Sequence, residues 1–200
     1  DAYHPLPAAA EPVVHARGDT LAEGDTVLVP GLDTLISRFW ADAFARSGNP
    51  ALLLQPGASA MSTGFRYSSG GECTPLVSMV GSAIETIKGN GLDPSKTFFF
   101  LPTVLFSCNM PQFPIFADMA FRAAGIPGVK IGRINIMALM DALPPMLAVK
   151  ILESYIVACT LYKIASRIRP YEQRKGETDE VMRAAEGLVR AAIMSGAELR

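Results

Sequence analysis

The stretch KTFFFLPT, residues 96–103, determines how the rest of the chain is interpreted. Its short apolar run ends in proline, and three of its residues are consecutive phenylalanines. A continuous apolar run of this length predicts a strand that is buried on both faces rather than a half-buried one, which would alternate apolar with polar residues. Strands of this kind are typical of parallel sheets that helices cover on both faces. We therefore look for the same type of run elsewhere.

Three other runs predict strands: DTVLVPGL (residues 25–32), ALLLQP (51–56) and VKIGRI (129–134). Between the four runs, apolar residues at helical spacing predict helices over 35–46, 75–88 and 112–124. Asp33 or Thr34 is expected to cap the first helix. Strand and helix alternate, which predicts an α/β fold, a Rossmann-like parallel sheet of about four strands flanked by helices.

The pattern divides the chain into three parts. Residues 1–23 are rich in alanine and proline without periodicity and are predicted to be a linker or arm. Residues 24–136 form the Rossmann-like domain, and residues 137–200 form a helical C-terminal extension that packs on it. In the extension we expect a helix in two pieces, interrupted near Pro144, and a final helix capped by Thr178. Because the chain begins at Asp1 and opens as a linker does, we expect a processed chain or a piece of a longer protein.

Composition narrows the classes of partner. The chain has 200 residues and a formal net charge of −1, with 50% hydrophobic and 18% charged residues. Phosphate binding requires a basic surplus on one face, so a nucleic-acid partner is not expected. The apolar segment 144–168 carries Lys150, Glu153, Lys163 and Arg167, so we expect a buried helix there rather than a membrane span. The three cysteines, an odd number, favour a reducing and therefore cytoplasmic setting.

Two of the three cysteines occupy positions where chemistry is plausible. Cys73 follows the second predicted strand and Cys108 the third, and each precedes a helix. Ligands of open parallel sheets bind beyond the carboxyl ends of the strands, so both thiols are expected at one edge. A helix N-terminus favours the thiolate form of cysteine, which is the form that binds iron or zinc. The alternative is that both are small buried apolar residues, and their wide separation along the chain is not a metal-binding signature.

The remaining features of the sequence are a long connection, a third cysteine, several methionines and two histidines. The connection 57–73 is long for an α/β fold, where about 2–6 residues are usual, and we expect a functional loop. Cys159 is predicted to lie in the core with neighbouring apolar residues at helical spacing, and Met137, Met140 and Met146 to make core or helix contacts. The two histidines, His4 and His15, both fall in the arm, so a catalytic Cys/His or Ser/His pair has little support.

Four segments, in the same order, resemble one protein family. YSSGGECTP (residues 67–75) resembles a YTSGKECYP motif, and FFFLPT…SCNMPQF resembles FFMPT…GPCRFGQY. GDTVLVPGL stands where the family has its first strand, and RPYEQRKGETDEV (169–181) is close to RPYEVNKGETDRV. The family is the large activase-related proteins of the 2-hydroxyacyl-CoA dehydratase system, and the likeness, over residues 24–190, is to their C-terminal dehydratase-like region.

The resemblance implies a module of an ATP-driven iron–sulfur electron-transfer system. Cys73 and Cys108 match the cysteines of the two motifs and would ligate a 4Fe–4S cluster, surrounded by Tyr67, Ser68, Ser69 and Gln112. Two thiolates are fewer than a cubane cluster needs, so the ligand set within this chain is incomplete. The Arg-Phe-Gly that follows the second cysteine in the family is replaced here by Asn109, Met110 and Pro111, so the arginine is lost.

The implied partners are an ATPase activase domain or a dehydratase-like subunit. Two alternatives remain open beside this interpretation. In the first, the chain is a non-catalytic structural or docking domain with inert cysteines, and the apolar surface of its extension forms a homodimer. In the second, Arg66, Lys130 and Arg133 bind the phosphates of a CoA-type molecule in the crevice.

Overall fold

A computed structural model describes residues 18–103, 109–134 and 139–197, with the backbone but not the side chain of Ile134. The elements of these residues, in chain order, are β1 (Thr26–Val29), α1 (Thr34–Arg46), β2 (Ala51–Leu53), α2 (Ala58–Phe65), α3 (Thr74–Gly89), β3 (Thr97–Pro102), α4 (Phe113–Ala123), β4 (Lys130–Ile134), α5 (Leu139–Ala142), α6 (Pro145–Ile168) and α7 (Glu177–Ser195). Short 3-10 turns precede β3 and α4 and follow α6.

The four strands form one parallel sheet in the order β2-β1-β3-β4. Val27 aligns with Ala51 on one side and with Phe98 on the other, and Phe99 aligns with Ile131. The predicted α/β Rossmann-like architecture is therefore confirmed, including the helical C-terminal extension. The direction of winding reverses between β1 and β3, and folds of this class bind ligands outside the carboxyl ends of the strands at such a point.

The phenylalanine run of β3 supplies both faces of the sheet. Phe99 and Leu101 face a core cluster formed with α3 and α4, whereas Phe98 and Phe100 face a second cluster formed with α1 and α6. All four side chains are fully buried. The continuous apolar run is thus explained by helices on both sides of a central strand.

The extension packs on α1 through one face of α6. Trp40 of α1 donates a hydrogen bond from Nε1 to the carbonyl of Ile151 at 3.1 Å. Its indole meets Phe100 edge-on at 5.1 Å and stacks beside Tyr155 at 6.4 Å. Ion pairs between α7 and α1 add to the contact, and one of them joins Arg190 to Asp42. The long apolar segment is therefore a helix with one covered face rather than a wholly buried one.

The connection 57–73 is not a continuous loop, because it contains α2. This helix lies antiparallel to α3 at very short range: a Cβ at Gly81 would lie 1.9 Å from the carbonyl oxygen of Ala60, and one at Gly64 would lie 2.0 Å from that of Val77. The α2 sequence ASAMSTGF has too few large apolar residues for helical periodicity to reveal it. Its helical state depends on this close contact with α3.

Thr178 does not cap the last helix as expected. It lies inside α7 and is buried, and Gly176 (φ 89°) precedes the helix instead. The carboxylate of Glu172 accepts hydrogen bonds from the backbone amides of Gly176 (2.8 Å) and Thr178 (3.1 Å). Glu172, which precedes the helix in the chain, therefore caps it in place of Thr178. The amide hydrogen bond from Gly176 is the main cause of the lowered pKa of Glu172.

Three side chains expected in the core or in helix contacts are exposed. Cys159, Met140 and Met146 all face solvent, and Met137 lies outside the described residues. The buried face of α6 carries smaller residues than the sequence pattern favoured: Leu147, Ala148, Ile151, Ser154, Ala158 and Ala165. Alanine and serine allow α1 and its tryptophan to approach closely, so this face is covered and the opposite, bulkier one is not.

Residues just before β1 lie along the outer edge of the sheet. Asp19 donates its amide to the carbonyl of Ile131 at 3.0 Å and accepts the Ile131 amide on its own carboxylate at 2.7 Å. The amide of Leu21 bonds the carbonyl of Ala142. The exposed edge of β4 is covered in this way, and the division of the chain at residue 23 stays a prediction.

Candidate functional site

Cys73 lies at the carboxyl edge of the sheet, immediately before α3. Its backbone is extended (φ −71°, ψ 142°), and its side chain makes no capping hydrogen bond. It is a free, half-buried cysteine. The side chain packs against the core cluster to which β1 contributes Leu28 and β3 contributes Phe99 and Leu101. The first of the two predicted thiols is thus at the expected edge, on the face of the sheet that this cluster covers.

One carboxylate holds the loop that leads to Cys73. Glu72 accepts hydrogen bonds from the hydroxyls of Ser68 (2.5 Å) and Ser69 (2.9 Å). It also accepts the backbone amides of Ser69 (3.2 Å) and Gly70 (3.1 Å). Gly70 has φ 91°, a left-handed conformation that favours glycine, and its amide contacts the Ser68 hydroxyl as well. The loop is therefore organised by its own side chains.

These hydrogen bonds set the charge state of the loop. Partial burial raises the pKa of Glu72, but the hydrogen bonds from Ser68 and Ser69 outweigh that effect, so the pKa lies below its usual value. Four donors directed at one carboxylate favour its ionised form. A fixed negative charge therefore stands one residue before Cys73.

The structure brings together some of the predicted site residues. Tyr67 is half-buried and packs against the same core cluster as Cys73, and so does Met110 from the turn before α4. Ser69 is exposed and directed to Glu72. Gln112 is exposed, and its amide donates to the carbonyl of Asn109 at 2.9 Å where α4 begins.

Cys108 belongs to residues 104–108, which lie outside the described residues, so its role stays a prediction. The described residues that flank this segment are Thr103, which follows β3, and Asn109, which precedes the turn before α4. Across residues 18–103, 109–134 and 139–197, no three His, Cys, Asp or Glu side chains are grouped as a metal ion would require. The described residues thus supply one cysteine to the candidate site.

One of the three basic residues expected to bind the phosphates of a CoA-type molecule, Lys130, is not placed to do so. Lys130 is at the amino end of β4, and its Nζ lies 2.8 Å from both carboxylate oxygens of Asp25. Asp25 is buried beside the start of β1, so this ion pair joins strands at the edge opposite Cys73. Lys130 therefore has a structural partner and does not face the crevice.

Sequence reasoning placed Ser68 around the candidate site but missed Glu72. A signal was present in SSGGE, residues 68–72, because serine hydroxyls around a glycine turn commonly bond a nearby acceptor. The Glu72 carboxylate, and not the cysteine that follows it, determines the loop conformation.

Comparisons of the chain with protein-family models, with curated proteins and with solved structures find no match. Among the helices of the described part of the chain, none combines the length and the apolar content needed to cross a membrane.

Proposed function

We propose that the chain is a module of an ATP-driven iron–sulfur electron-transfer system related to 2-hydroxyacyl-CoA dehydratase activation, working in a reducing cytoplasm. The observation that carries the proposal is the position of Cys73, free and half-buried before α3 at the carboxyl edge of the sheet. The motif resemblance supplies the chemistry, because it matches Cys73 and Cys108 to the cysteines of an iron–sulfur family.

The fold supports a common location for the two cysteine-bearing segments. Parallel strands end at the same edge of a sheet, so the segment after β3 starts at the edge at which α3 also begins. Tyr67, Cys73 and Met110 pack on one core cluster, which places both helix starts over the same face of the sheet. Ser69 and Gln112 lie on the exposed rim around these starts.

A bound 4Fe–4S cluster would supply one-electron transfer at low potential. This chain would contribute two thiolates, and the remaining ligands would come from a non-cysteine group or from a partner, either an ATPase activase domain or a dehydratase-like subunit. Backbone amides at the start of α3 and the surrounding apolar cluster would tune the potential. The carboxylate of Glu72 would keep the loop in place.

Iron content tests the proposal directly. The 200-residue chain is purified anaerobically, reconstituted with ferrous iron and sulfide, and assayed for iron, sulfide and the visible sulfur-to-iron absorption band. We expect a bound cluster in the wild type and its loss in Cys73→Ser and in Cys108→Ser. Cys159→Ser is the matched control, since this exposed cysteine lies on α6, which packs against the opposite face of the sheet from Cys73, and its loss should leave iron content unchanged.

The second candidate is a docking domain with inert cysteines. Its support is that the Cys73 side chain packs on an apolar cluster, as a structural cysteine does. Absence of iron after reconstitution, with unchanged stability of Cys73→Ala and Cys108→Ala, would favour this function and contradict the first.

A further inference from the structure

Helices α1 and α6 carry three oxidisable side chains in order from the core to the surface. Trp40, the one tryptophan of the chain, is 8% exposed, and Tyr155 is 47% exposed. Cys159, one helical turn after Tyr155, is a free and exposed cysteine. Thiols are readily oxidised, and indole and phenol rings lose an electron far more easily than a benzene ring does. The series therefore leads from a buried oxidisable ring to solvent.

The indole and phenol rings are in direct contact. Their centroids lie 6.4 Å apart and their planes are inclined by 22°, as in a stacked aromatic pair. Phe100 also contacts the indole, edge-on at 5.1 Å, but its benzene ring is too hard to oxidise to return an electron to the indole. Electron transfer slows steeply with distance, so of these two rings Tyr155 is the electron donor to an oxidised Trp40.

The protons of the two rings are held differently. Trp40 donates its Nε1 proton to the carbonyl of Ile151 at 3.1 Å, and a carbonyl is not basic enough to remove it. Oxidised Trp40 therefore stays a radical cation, which is a stronger oxidant than the neutral radical. Tyr155 can lose its proton to water because its side chain is half-exposed. Its hydroxyl faces Cys159, and their hydrogen bond is the main cause of the raised pKa of Tyr155.

We propose that Trp40, Tyr155 and Cys159 form a relay that carries one-electron oxidation from the core to the surface. A one-electron oxidant, such as the carbonate radical, takes an electron from Trp40 and is reduced to carbonate. The Trp40 radical cation takes an electron from Tyr155, which restores the indole, and the phenolic proton passes to water. The tyrosyl radical takes a hydrogen atom from the Cys159 thiol, and a soluble thiol returns a hydrogen atom to the resulting thiyl radical.

The relay goes beyond the proposed iron–sulfur function and is separate from its site. Trp40 belongs to the core cluster of α1 and α6, whereas Cys73 packs on the cluster at the other face of the sheet. The indole joins α1 to Phe100 of β3 and to the backbone of α6, so its irreversible oxidation would disrupt the contact between the extension and the sheet. An electron supplied by Tyr155 preserves that contact.

Flash photolysis of the full chain tests the first transfer. A flash ionises Trp40, and nitrous oxide with tert-butanol removes the ejected electron. We expect the tryptophanyl absorption to be replaced by the tyrosyl absorption at a rate independent of protein concentration. Tyr155→Phe keeps the stacked ring but should prolong the tryptophanyl radical several-fold. Tyr171→Phe is the matched control, since Tyr171 is 79% exposed beyond the end of α6 and should leave the lifetime unchanged.

Cys159→Ser tests the second transfer. We expect the tyrosyl radical to persist several-fold longer in this variant, while the tryptophanyl decay stays as in wild type. Spin trapping followed by peptide mass spectrometry should place the final radical on Cys159 in wild type and on Tyr155 in Cys159→Ser. Circular dichroism confirms that each variant folds. An unchanged tryptophanyl lifetime in Tyr155→Phe, an unchanged tyrosyl lifetime in Cys159→Ser, or a transfer rate that rises with protein concentration would overturn the inference.

Discussion

Glu72 is the residue on which the conformation of the loop before α3 depends. Four hydrogen bonds from Ser68, Ser69 and Gly70 converge on its carboxylate, and Cys73 is covalently the next residue. The conformation of the chain that leads into Cys73 therefore depends on this carboxylate.

Glu72→Gln is expected to make stability less dependent on pH. The folded pKa of Glu72 is lowered, so the ionised carboxylate stabilises the folded state. That stabilisation is complete above the unfolded value of about 4.3 and is lost as the pH falls through the lower folded value. Urea unfolding should show the variant less stable than wild type at neutral pH, with the difference shrinking towards about pH 3.

Glu23→Gln is the control for this experiment, because it changes an exposed glutamate ahead of β1, at the other edge of the sheet. We expect it to change the free energy of unfolding by less than about 0.5 kcal/mol. A constant difference between wild type and Glu72→Gln across the whole pH range would contradict the assigned role.

The α2–α3 pair shows how one element depends on another. Gly64 and Gly81 remove the side chains that would separate the two helices, and Ser59 and Thr63 of α2 donate hydrogen bonds to Glu85 of α3 at 2.6 and 2.7 Å. Helix α2 has few buried residues of its own. It is stable because it lies against α3, and it brings the loop that carries Cys73 back to the carboxyl edge.

Gly81→Ala is expected to destabilise the protein by about 2 kcal/mol or more, because the new Cβ would overlap the Ala60 carbonyl and force the helices apart. Gly89→Ala, at the end of the same helix, is the control: nothing lies within 4 Å of its Cβ. Alanine there should stabilise by up to about 1 kcal/mol. Thermal unfolding measures both, and equal effects would show that the close contact is not required.

In the whole molecule, the open edges of the sheet must be covered as well as its two faces, because their backbone groups are otherwise unpaired. Helices cover both faces, and residues before β1 cover the outer edge of β4, where Asp19 satisfies both backbone groups of Ile131. An exposed strand edge is a template for pairing with other chains, so this contact favours a single arrangement of the sheet.

Asp19→Ala is expected to cost about 1–2 kcal/mol, because it removes the acceptor of the Ile131 amide at 2.7 Å. Asp19→Asn keeps an oxygen acceptor and should cost less than half as much. Chemical unfolding measures the two values, and the amide hydrogen exchange of Ile131 should quicken in the alanine variant alone. Identical losses in both variants would assign the effect to charge instead.

The alternation of apolar runs and helical periodicity was sufficient to predict the four strands, the parallel α/β sheet and helix α1 with its cap. Asp33 does accept the Ile36 amide, at 2.9 Å. These features depend on residues that are near one another in the chain, or on burial so complete that composition reveals it, as in β3. The edge at which Cys73 lies follows from the same alternation, because parallel strands share one carboxyl end.

The remaining features required the folded chain. Helix α6 is apolar on two sides, and only the approach of α1 decides that its alanine- and serine-rich side is covered while Ile156 and Cys159 face solvent. Likewise α2 has no amphipathic pattern of its own, and its helical state comes from contact with α3 at two glycines. The physical reason is that periodicity records which side chains are apolar, whereas burial depends on which neighbour, distant in the chain, can come close enough to cover them.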